Sequence, residues 1–171
     1  MKILCLFLAL ALTMTIPAQA VGPGPSKNAS STTRLIIYLQ PNLDPEIAAI
    51  HAKYIDQYAS KWNVDRLKVI SIAHQESKFR ADAQSAVGCI GAMQVNPRAH
   101  QDKLKRRGIT WRDLYFLRNN YDIGSEILHD CMKSSRSFDE ALKKYSGGSR
   151  NYSKEVKKIY GMLHRCGLMT S

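Results

Sequence analysis

Acidic residues are scarce in this chain of 171 residues, which carries 14 Asp and Glu against 25 Lys and Arg and has a formal net charge of +11. A chain this basic is attracted to polyanions, but charge alone does not identify the polyanion. Aromatic residues are also few, at 8%, which argues against a large surface that stacks the bases of single-stranded nucleic acid. The hydrophobic content of 44% excludes wholesale disorder, and the length accommodates one domain with a tail.

The sequence has no apolar stretch as long as a membrane-spanning helix. Its longest apolar run, residues 3–12, follows Lys2 and precedes the small-x-small motif Ala18-Gln19-Ala20. This order is typical of a secretory signal peptide, so we predict that residues 1–20 are removed and that the chain is exported to the periplasm or the cell wall. A membrane anchor is the weaker alternative, because the run is too short to span a bilayer.

Cysteine is also scarce, and loss of residues 1–20 would leave Cys89, Cys131 and Cys166. In an exported chain, three thiols favour one disulfide and one unbridged cysteine, and the sequence leaves all three pairings open. The chain lacks the C-x-x-C spacing that is typical of zinc sites. We therefore expect neither a metal nor a cofactor.

Residues 21–42 are rich in Gly, Pro, Ser and Thr, which predicts a tail or linker, with an apolar run at residues 35–39 that we expect to dock on the domain. Residues 43–171 predict one mainly α domain. Asp44-Pro45 marks a helix start, and two further starts have the pattern of capping boxes, Thr110 to Asp113 and Ser137 to Glu140.

Predicted helices cover residues 44–62, 97–107, 120–133 and 152–165. Another predicted helix begins at residue 63 or 65 and ends at residue 77, and a short helix follows each of the two capping boxes. Gly108 and Gly167 are expected to end their helices. Residues 81–96 are predicted to be irregular, with room for short strands.

One carboxylate continues an apolar helix face. Val69, Ile72, Ala73 and Glu76 follow the spacing i, i+3, i+4, i+7 and therefore share one side of the second predicted helix. In one interpretation the apolar stripe has simply reached solvent at Glu76. In the other, an apolar wall surrounds the carboxyl and raises its pKa, as a general acid near neutral pH requires, and the negative end of the helix dipole acts in the same direction.

Four short blocks follow one another in the sequence. They are His74-Gln75-Glu76-Ser77-Lys78-Phe79, Gly88-Cys89-Ile90-Gly91-Ala92-Met93-Gln94-Val95, Asn120-Tyr121-Asp122-Ile123-Gly124 and Tyr145-Ser146-Gly147-Gly148. Together they resemble the soluble lytic transglycosylase (SLT) family, a goose-lysozyme-like group that cleaves peptidoglycan. In that family Glu-Ser is followed by Gly-Leu-Met-Gln, then Asn-x-x-x-Gly, then Tyr-Asn-x-Gly.

The resemblance covers about residues 67–160 and leaves residues 21–42 unexplained. It implies a mainly α, lysozyme-like fold with a small irregular or β region between helices. The chain is most similar to small exported single-domain members that open the wall for secretion or conjugation machinery, and to phage relatives. It departs from the family where Ala92 replaces a common Leu and where Ser146 replaces a common Asn, which puts a sugar contact from Ser146 in doubt.

By the resemblance, Glu76 is the catalytic acid and base. Ser77 would hydrogen-bond near Glu76 or to the N-acetyl group of the substrate, unless it only caps the helix end. Tyr145 would reach toward Glu76 or the sugar, unless it is a half-buried core residue.

The resemblance also assigns substrate-binding positions outside the helix of Glu76. Met93 would supply an apolar contact, with core packing as the alternative. Gln94 would hydrogen-bond sugar groups, unless it is an ordinary surface residue. Asn120 would stabilise the helix and loop beside the cleft, so that its role is structural.

The implied reaction is cleavage of the β-1,4 bond between MurNAc and GlcNAc by a single Glu, with help from the substrate N-acetyl group and formation of 1,6-anhydro-MurNAc ends. A hydrolysing muramidase is one alternative, if Asp82 or another acid positions a water. A non-catalytic wall-binding assembly factor is another.

The expected partners are peptidoglycan glycan strands and secretion or conjugation machinery. The basic clusters at residues 103–107 and 143–158 are interpreted either as a solvated face or as attraction to the anionic wall. They contain no recognition motif, so nucleic acid is not an expected partner, and no membrane span is expected after the signal peptide.

Overall fold

Seven α-helices and one 3-10 helix form the part of the chain that the computed structural model describes, residues 28–149 and 151–168. The predicted signal peptide, residues 1–20, lies outside the described residues. The helices are α1 (Ser31–Leu39), α2 (Pro45–Lys61), α3 (Arg66–Ser77), α4 (Gln101–Arg107), α5 (Leu117–Lys133), α6 (Phe138–Tyr145) and α7 (Tyr152–Leu168), with the 3-10 helix at Trp111–Tyr115. The predicted mainly α class is confirmed.

Side-chain caps begin several helices where the sequence predicts them. The Asp44 carboxylate accepts from the N–H groups of Glu46 (2.7 Å) and Ile47 (3.2 Å), and Pro45 occupies the first position of α2. Asp65 accepts from the Leu67 N–H at 2.8 Å, which places the start of α3 at the second of its two predicted positions. These contacts are local, so the sequence alone indicates them.

The two predicted capping boxes take slightly different forms. The Asp113 carboxylate accepts from the N–H (2.7 Å) and the hydroxyl (2.8 Å) of Thr110 and starts the 3-10 helix. Ser137 accepts from the Glu140 N–H at 3.2 Å and starts α6. The Glu140 carboxylate, however, accepts from the N–H of Arg136 at 3.0 Å, one residue before the position that a capping box requires.

Three helix boundaries differ from the prediction. The Asn96 side chain accepts from the N–H groups of Arg98 and Ala99, which holds residues 97–100 in a turn, so α4 begins only at Gln101. Helix α5 begins at Leu117, three residues early. Helix α7 continues through Gly167, because a glycine inside a helix costs only about 1 kcal/mol.

Residues 31–39, within the predicted tail, form helix α1 and pack against α2. Ile36 is fully buried in the core, and the buried Thr32 hydroxyl donates to the Asp56 carboxylate at 2.7 Å. The Ser30 side chain caps the helix by accepting from the Thr33 N–H at 3.1 Å. The apolar run at residues 35–39 therefore belongs to a docked helix.

Helix α5 lies at the centre of the bundle, where it packs against α2 and α6, while α3 packs against α7. Its residues 120–128, apart from the partly buried Asp122, are buried. One core contact is polar: the His51 ring nitrogen lies 2.7 Å from the Tyr121 hydroxyl, and both side chains are buried. In the described ranges, no helix is both long enough and apolar enough to cross a membrane.

The cysteines lie on different elements: Cys89 in the irregular segment, Cys131 on α5 and Cys166 on α7. Cys89 and Cys131 are thiols, and the Cys166 sulfur is hydrogen-bonded to the Tyr38 hydroxyl. The disulfide that the composition favours is thus not formed in the described part of the chain.

Candidate active site

Glu76 lies in the last turn of α3, at the end of the apolar stripe that the spacing predicts. Val69, Ile72 and Ala73 are fully buried, whereas Glu76 is only partly buried. Burial raises the pKa of the Glu76 carboxyl to about 7, because the charged form loses hydration. Of the two interpretations that the spacing leaves open, the geometry favours a carboxyl held in an apolar wall.

Tyr152 is the nearest polar partner of Glu76. Its hydroxyl donates to Glu76 Oε1 at 2.6 Å. This bond stabilises the carboxylate and lowers the Glu76 pKa, against the larger effect of burial. Burial and the Glu76 charge together raise the pKa of the Tyr152 hydroxyl, so it stays protonated and remains a donor.

Tyr152 is not among the site residues that the sequence predicts. It is the first residue of α7, and the packing of α7 on α3 brings it to a carboxyl 76 positions away in the chain. No spacing rule links the two residues. The only local signal is a tyrosine at the start of the helix that follows the glycine turn Gly147-Gly148.

The chain turns sharply after Ser77. Lys78 and Phe79 both have positive φ, 57° and 65°, a conformation that is uncommon for residues with a side chain. Burial of the Phe79 ring, which is 2% exposed, holds this turn in place. Such strain is of order 1–3 kcal/mol per residue and persists only where the surroundings enforce it. The turn ends the helix one residue after Glu76 and leads the chain into the irregular segment.

Ser77 joins the end of α3 to that segment. Its hydroxyl donates to the Ala92 carbonyl at 2.9 Å and accepts from the Arg80 N–H at 3.0 Å. Among the described residues, the hydroxyl has no hydrogen bond to Glu76. The structure therefore places Ser77 beside the carboxyl and directs its hydroxyl toward the backbone.

Asn120 holds residues 90–93 of the irregular segment in place. Its side-chain oxygen accepts from the Met93 N–H at 2.7 Å, and its amide donates to the carbonyls of Ile90 (2.8 Å) and Leu114 (2.9 Å). The side chain is fully buried, so all three bonds are shielded from water. A Cβ at Gly91, whose φ is +77°, would overlap the Asn120 amide, which explains why a glycine stands there.

Met93 and Tyr145 meet at the same segment. The Met93 side chain is fully buried against Gly124, where an added Cβ would lie 2.5 Å from the Met93 sulfur. The Tyr145 hydroxyl donates to the Met93 carbonyl at 3.0 Å. Burial and then the nearby Glu76 charge raise the pKa of Tyr145, so this tyrosine lies near the carboxyl without donating to it.

Gln94 closes the turn at positive φ, 47°. Its side-chain amide donates to the carbonyls of Gly91 (3.0 Å) and Ala83 (3.2 Å), and antiparallel bridges link Ile90 to Gln84 and to Val95. These isolated bridges are the only β structure in the described ranges. Gln94 therefore stabilises the segment beside Glu76.

Three other acids could in principle act with Glu76: Asp82, Asp122 and Glu126. Asp82 is exposed, with 83% of its side chain accessible, and contacts Arg80 at 3.4 Å. Asp122 binds Arg107 (3.0 Å), and Glu126 binds neighbouring cations of α4. Within the described ranges, no three His, Cys, Asp or Glu side chains gather as a metal site. What the site offers chemically is one carboxyl that titrates near neutrality and a tyrosine that orients it.

Comparison with known proteins identifies a family for this chain. The Transglycosylase SLT domain family matches residues 53–163. The chain is also similar to an X-ray structure of an inactive Glu-to-Gln mutant of the lytic transglycosylase Slt from Pseudomonas aeruginosa, with a TM-score of 0.52 and 19% sequence identity.

That match covers 78% of this chain and 29% of the Slt chain, so this chain spans less than a third of the length of Slt. At this identity the likeness shows a shared fold. The family match includes Glu76, Asn120, Tyr145 and Tyr152, ends within α7 and leaves α1 outside. The chain therefore belongs to the Transglycosylase SLT domain family.

Proposed function

We propose that the chain is a peptidoglycan lytic transglycosylase in which Glu76 is the single catalytic acid and base. The observation that carries the proposal is the partly buried Glu76 carboxyl, which has a pKa of about 7 and a hydrogen bond from Tyr152. A group with that pKa populates its acid and base forms about equally near pH 7, so it can serve in both halves of one reaction.

In the first half, the protonated Glu76 carboxyl donates its proton to the oxygen of the β-1,4 bond between MurNAc and GlcNAc. The bond to C1 of MurNAc breaks, and the substrate's own N-acetyl group stabilises the positive charge that develops there. Tyr152 holds Oε1, so we assign the proton transfer to Oε2.

In the second half, the Glu76 carboxylate accepts the proton of the MurNAc C6 hydroxyl while that oxygen attacks C1. The product is a 1,6-anhydro end, and Glu76 returns to its protonated form. An intramolecular nucleophile is favoured by proximity. The ion pairs that hold Asp122 at Arg107 and Glu126 at Lys103 support a mechanism in which neither acid is a second catalytic carboxylate.

We assign the loop that carries Met93 and Gln94 to the wall of the substrate cleft. Asn120 and Ser77 support this wall through backbone hydrogen bonds, and Tyr145 ties it to α6. Met93 and Gln94 would contact the substrate from this loop, and Ser77 and Tyr145 would do so from the ends of α3 and α6 that hold the loop in place.

The substrate implies an exported location, which the predicted signal peptide at residues 1–20 also supports. We propose that the chain opens the wall locally, in the periplasm or at the cell wall, and that secretion or conjugation machinery uses the opening.

The substitution Glu76→Gln tests the reaction. It keeps the shape of the side chain and the acceptor for Tyr152 but removes the titrating proton, so release of muropeptides from purified wall should fall by at least about 10²-fold. Asp82→Asn, a change of the same kind on an exposed acid, should keep wild-type activity. Thermal unfolding of both variants verifies that the fold is retained.

Mass spectrometry of the products distinguishes the three functions. Anhydro-ended muropeptides are expected from the wild type. Reducing ends would replace the proposal by a hydrolysing muramidase. Absence of any product from well-folded wild-type protein would leave a wall-binding factor, and full activity of Glu76→Gln would remove Glu76 from the mechanism.

A further inference from the structure

A groove of about 900 Å³ opens beside α4. Its walls are residues 84–90 of the irregular segment, the turn before α4, α4 itself and the start of the 3-10 helix. Glu76, Tyr145 and Tyr152 do not line it. The groove shares the segment that Asn120 holds in place, so it lies next to the proposed wall of the cleft but has its own lining.

The groove combines an apolar surface with an exposed aromatic ring. Ile90, Leu104 and Ile109 line it as buried or partly buried aliphatic residues. Trp111, at the start of the 3-10 helix, is 43% exposed, and Val87 is 72% exposed. The Arg112 guanidinium lies 4.5 Å from the centroid of the Trp111 ring, yet the indole keeps 43% of its surface exposed. An exposed indole is a common anchor for ligands.

The charges of the groove have one sign. Arg98 and Lys105 both line it, and neither forms an ion pair within the described ranges. No Asp or Glu is found among the described lining residues. The groove therefore offers two unneutralised cations next to an apolar surface.

The other basic residues of α4 form ion pairs with acidic side chains. Lys103 binds Glu126 (3.1 Å), Arg106 binds Asp102 (2.9 Å), and Arg107 binds Asp122 (3.0 Å). Three cations of the same helix are thus neutralised by α5 or by α4 itself. Lys105 and Arg98, unlike these three paired cations, are therefore the basic residues of the groove that remain available to a ligand.

We propose that the groove binds the peptide arm of the peptidoglycan strand, with carboxylates of the arm at Arg98 and Lys105 and its alanine methyl groups against Trp111 and the aliphatic residues. This inference rests on the proposed function. The sugars of the strand bring little charge of their own, whereas the peptide arm carries several carboxylates and short apolar side chains. Charge complementarity therefore favours the arm over the sugar backbone as the occupant.

Two forms of one wall polymer provide the test: purified strands with their peptide arms, and the same strands after an amidase has removed the arms. The cleavage rate of the wild type should be roughly threefold to tenfold higher on strands with peptide arms than on strands without them. Two exposed charge contacts supply a difference of this size. The variant Arg98→Gln/Lys105→Gln should lose this preference and keep the wild-type rate on stripped strands. Arg66→Gln/Lys133→Gln removes the same charge from exposed positions elsewhere and should keep the preference.

The outcomes separate this inference from the proposed function. A preference that survives in Arg98→Gln/Lys105→Gln overturns the inference, and so does an equal loss of rate on both polymers, which would indicate a contact with the sugars or an effect of overall charge. No activity of the wild type on either polymer contradicts the proposed function instead.

A binding measurement tests the groove without catalysis. The isolated peptide arm, titrated into the purified protein and followed by tryptophan fluorescence, should bind the wild type and bind Arg98→Gln/Lys105→Gln at least threefold more weakly. Equal binding to both proteins overturns the inference. Binding of a polyglutamate peptide tenfold more tightly than the arm would also overturn it, because the groove would then suit an acidic protein partner.

Discussion

Tyr152 and Glu76 are joined by a hydrogen bond of 2.6 Å although 76 positions separate them in the chain. At the scale of single residues, this contact sets the pKa of Glu76 together with burial: burial raises the pKa, and the tyrosine bond lowers it. The balance leaves the carboxyl with a pKa of about 7, suited to giving and taking a proton at neutral pH. Tyr152 is therefore best understood as a residue that positions and tunes Glu76.

Replacing Tyr152 by Phe removes only the hydroxyl. Because the carboxylate loses its donor, the Glu76 pKa should rise by about one unit or less, the equivalent of one hydrogen bond. The alkaline limb of the pH–activity profile should shift upward by the same amount. Tyr160→Phe is the control, since that hydroxyl donates to Asp65 instead. An unshifted limb in Tyr152→Phe would show that the bond does not affect the reacting form of Glu76.

Helix α1 shows at the scale of elements how composition and packing can point in different directions. Its surroundings in the sequence are rich in Gly, Pro, Ser and Thr, which predicts a tail, yet Ile36 is fully buried and Thr32 is bonded to Asp56. The end of α1 also reaches the helix of Glu76, because the Leu39 carbonyl accepts a hydrogen bond from the His74 ring. The helix thus extends the fold beyond the part that the family match covers.

The substitution Ile36→Ala measures what this docking contributes. Truncating a fully buried aliphatic side chain should lower the free energy of unfolding by about 2–4 kcal/mol in urea denaturation. Ile50→Ala makes the same change on α2 at a position that is 44% exposed, and it should cost less than about 0.5 kcal/mol. If α1 were only a tail, the two variants would be equally stable.

At the scale of the whole molecule, the stability of the fold depends on pH through two groups whose pKa values burial shifts, Glu76 and His51. Burial raises the pKa of Glu76 to about 7 and lowers that of His51 to about 4. His51 therefore adds stability above its ordinary pKa of about 6.5 that is lost as the pH falls toward 4. Glu76 acts in the opposite sense: its contribution is complete below its ordinary pKa of about 4.5 and is lost as the pH rises to about 7.

Comparing the wild type with Glu76→Gln isolates the second effect, since His51 is common to both. The stability of the wild type relative to the variant should fall by up to about 3 kcal/mol between pH 4.5 and 7 and level off above pH 7. Urea denaturation at a series of pH values measures the difference. A difference that stays constant from pH 4 to 8 would mean that Glu76 titrates as an ordinary exposed carboxyl.

The sequence by itself determined the features that depend on neighbours along the chain. The caps at Asp44, Asp65 and Ser137 lie within three residues of the N–H groups they accept from, and the apolar spacing that ends at Glu76 lies within one helix. The mainly α class and the order of the four blocks follow from the same local information. Such contacts form wherever the helix forms, so they can be read without a fold.

Only the tertiary structure decided which distant residues meet. It brought Tyr152 to Glu76, buried Met93 against Gly124, and placed all three Asn120 hydrogen bonds on the backbone. The sequence predicts that the apolar run at residues 35–39 docks on the domain, but only the structure showed that residues 31–39 do so as a helix, α1. The physical reason is that these contacts depend on how whole helix faces are buried against one another, and the free energy of that burial belongs to the packed assembly rather than to any short stretch of sequence.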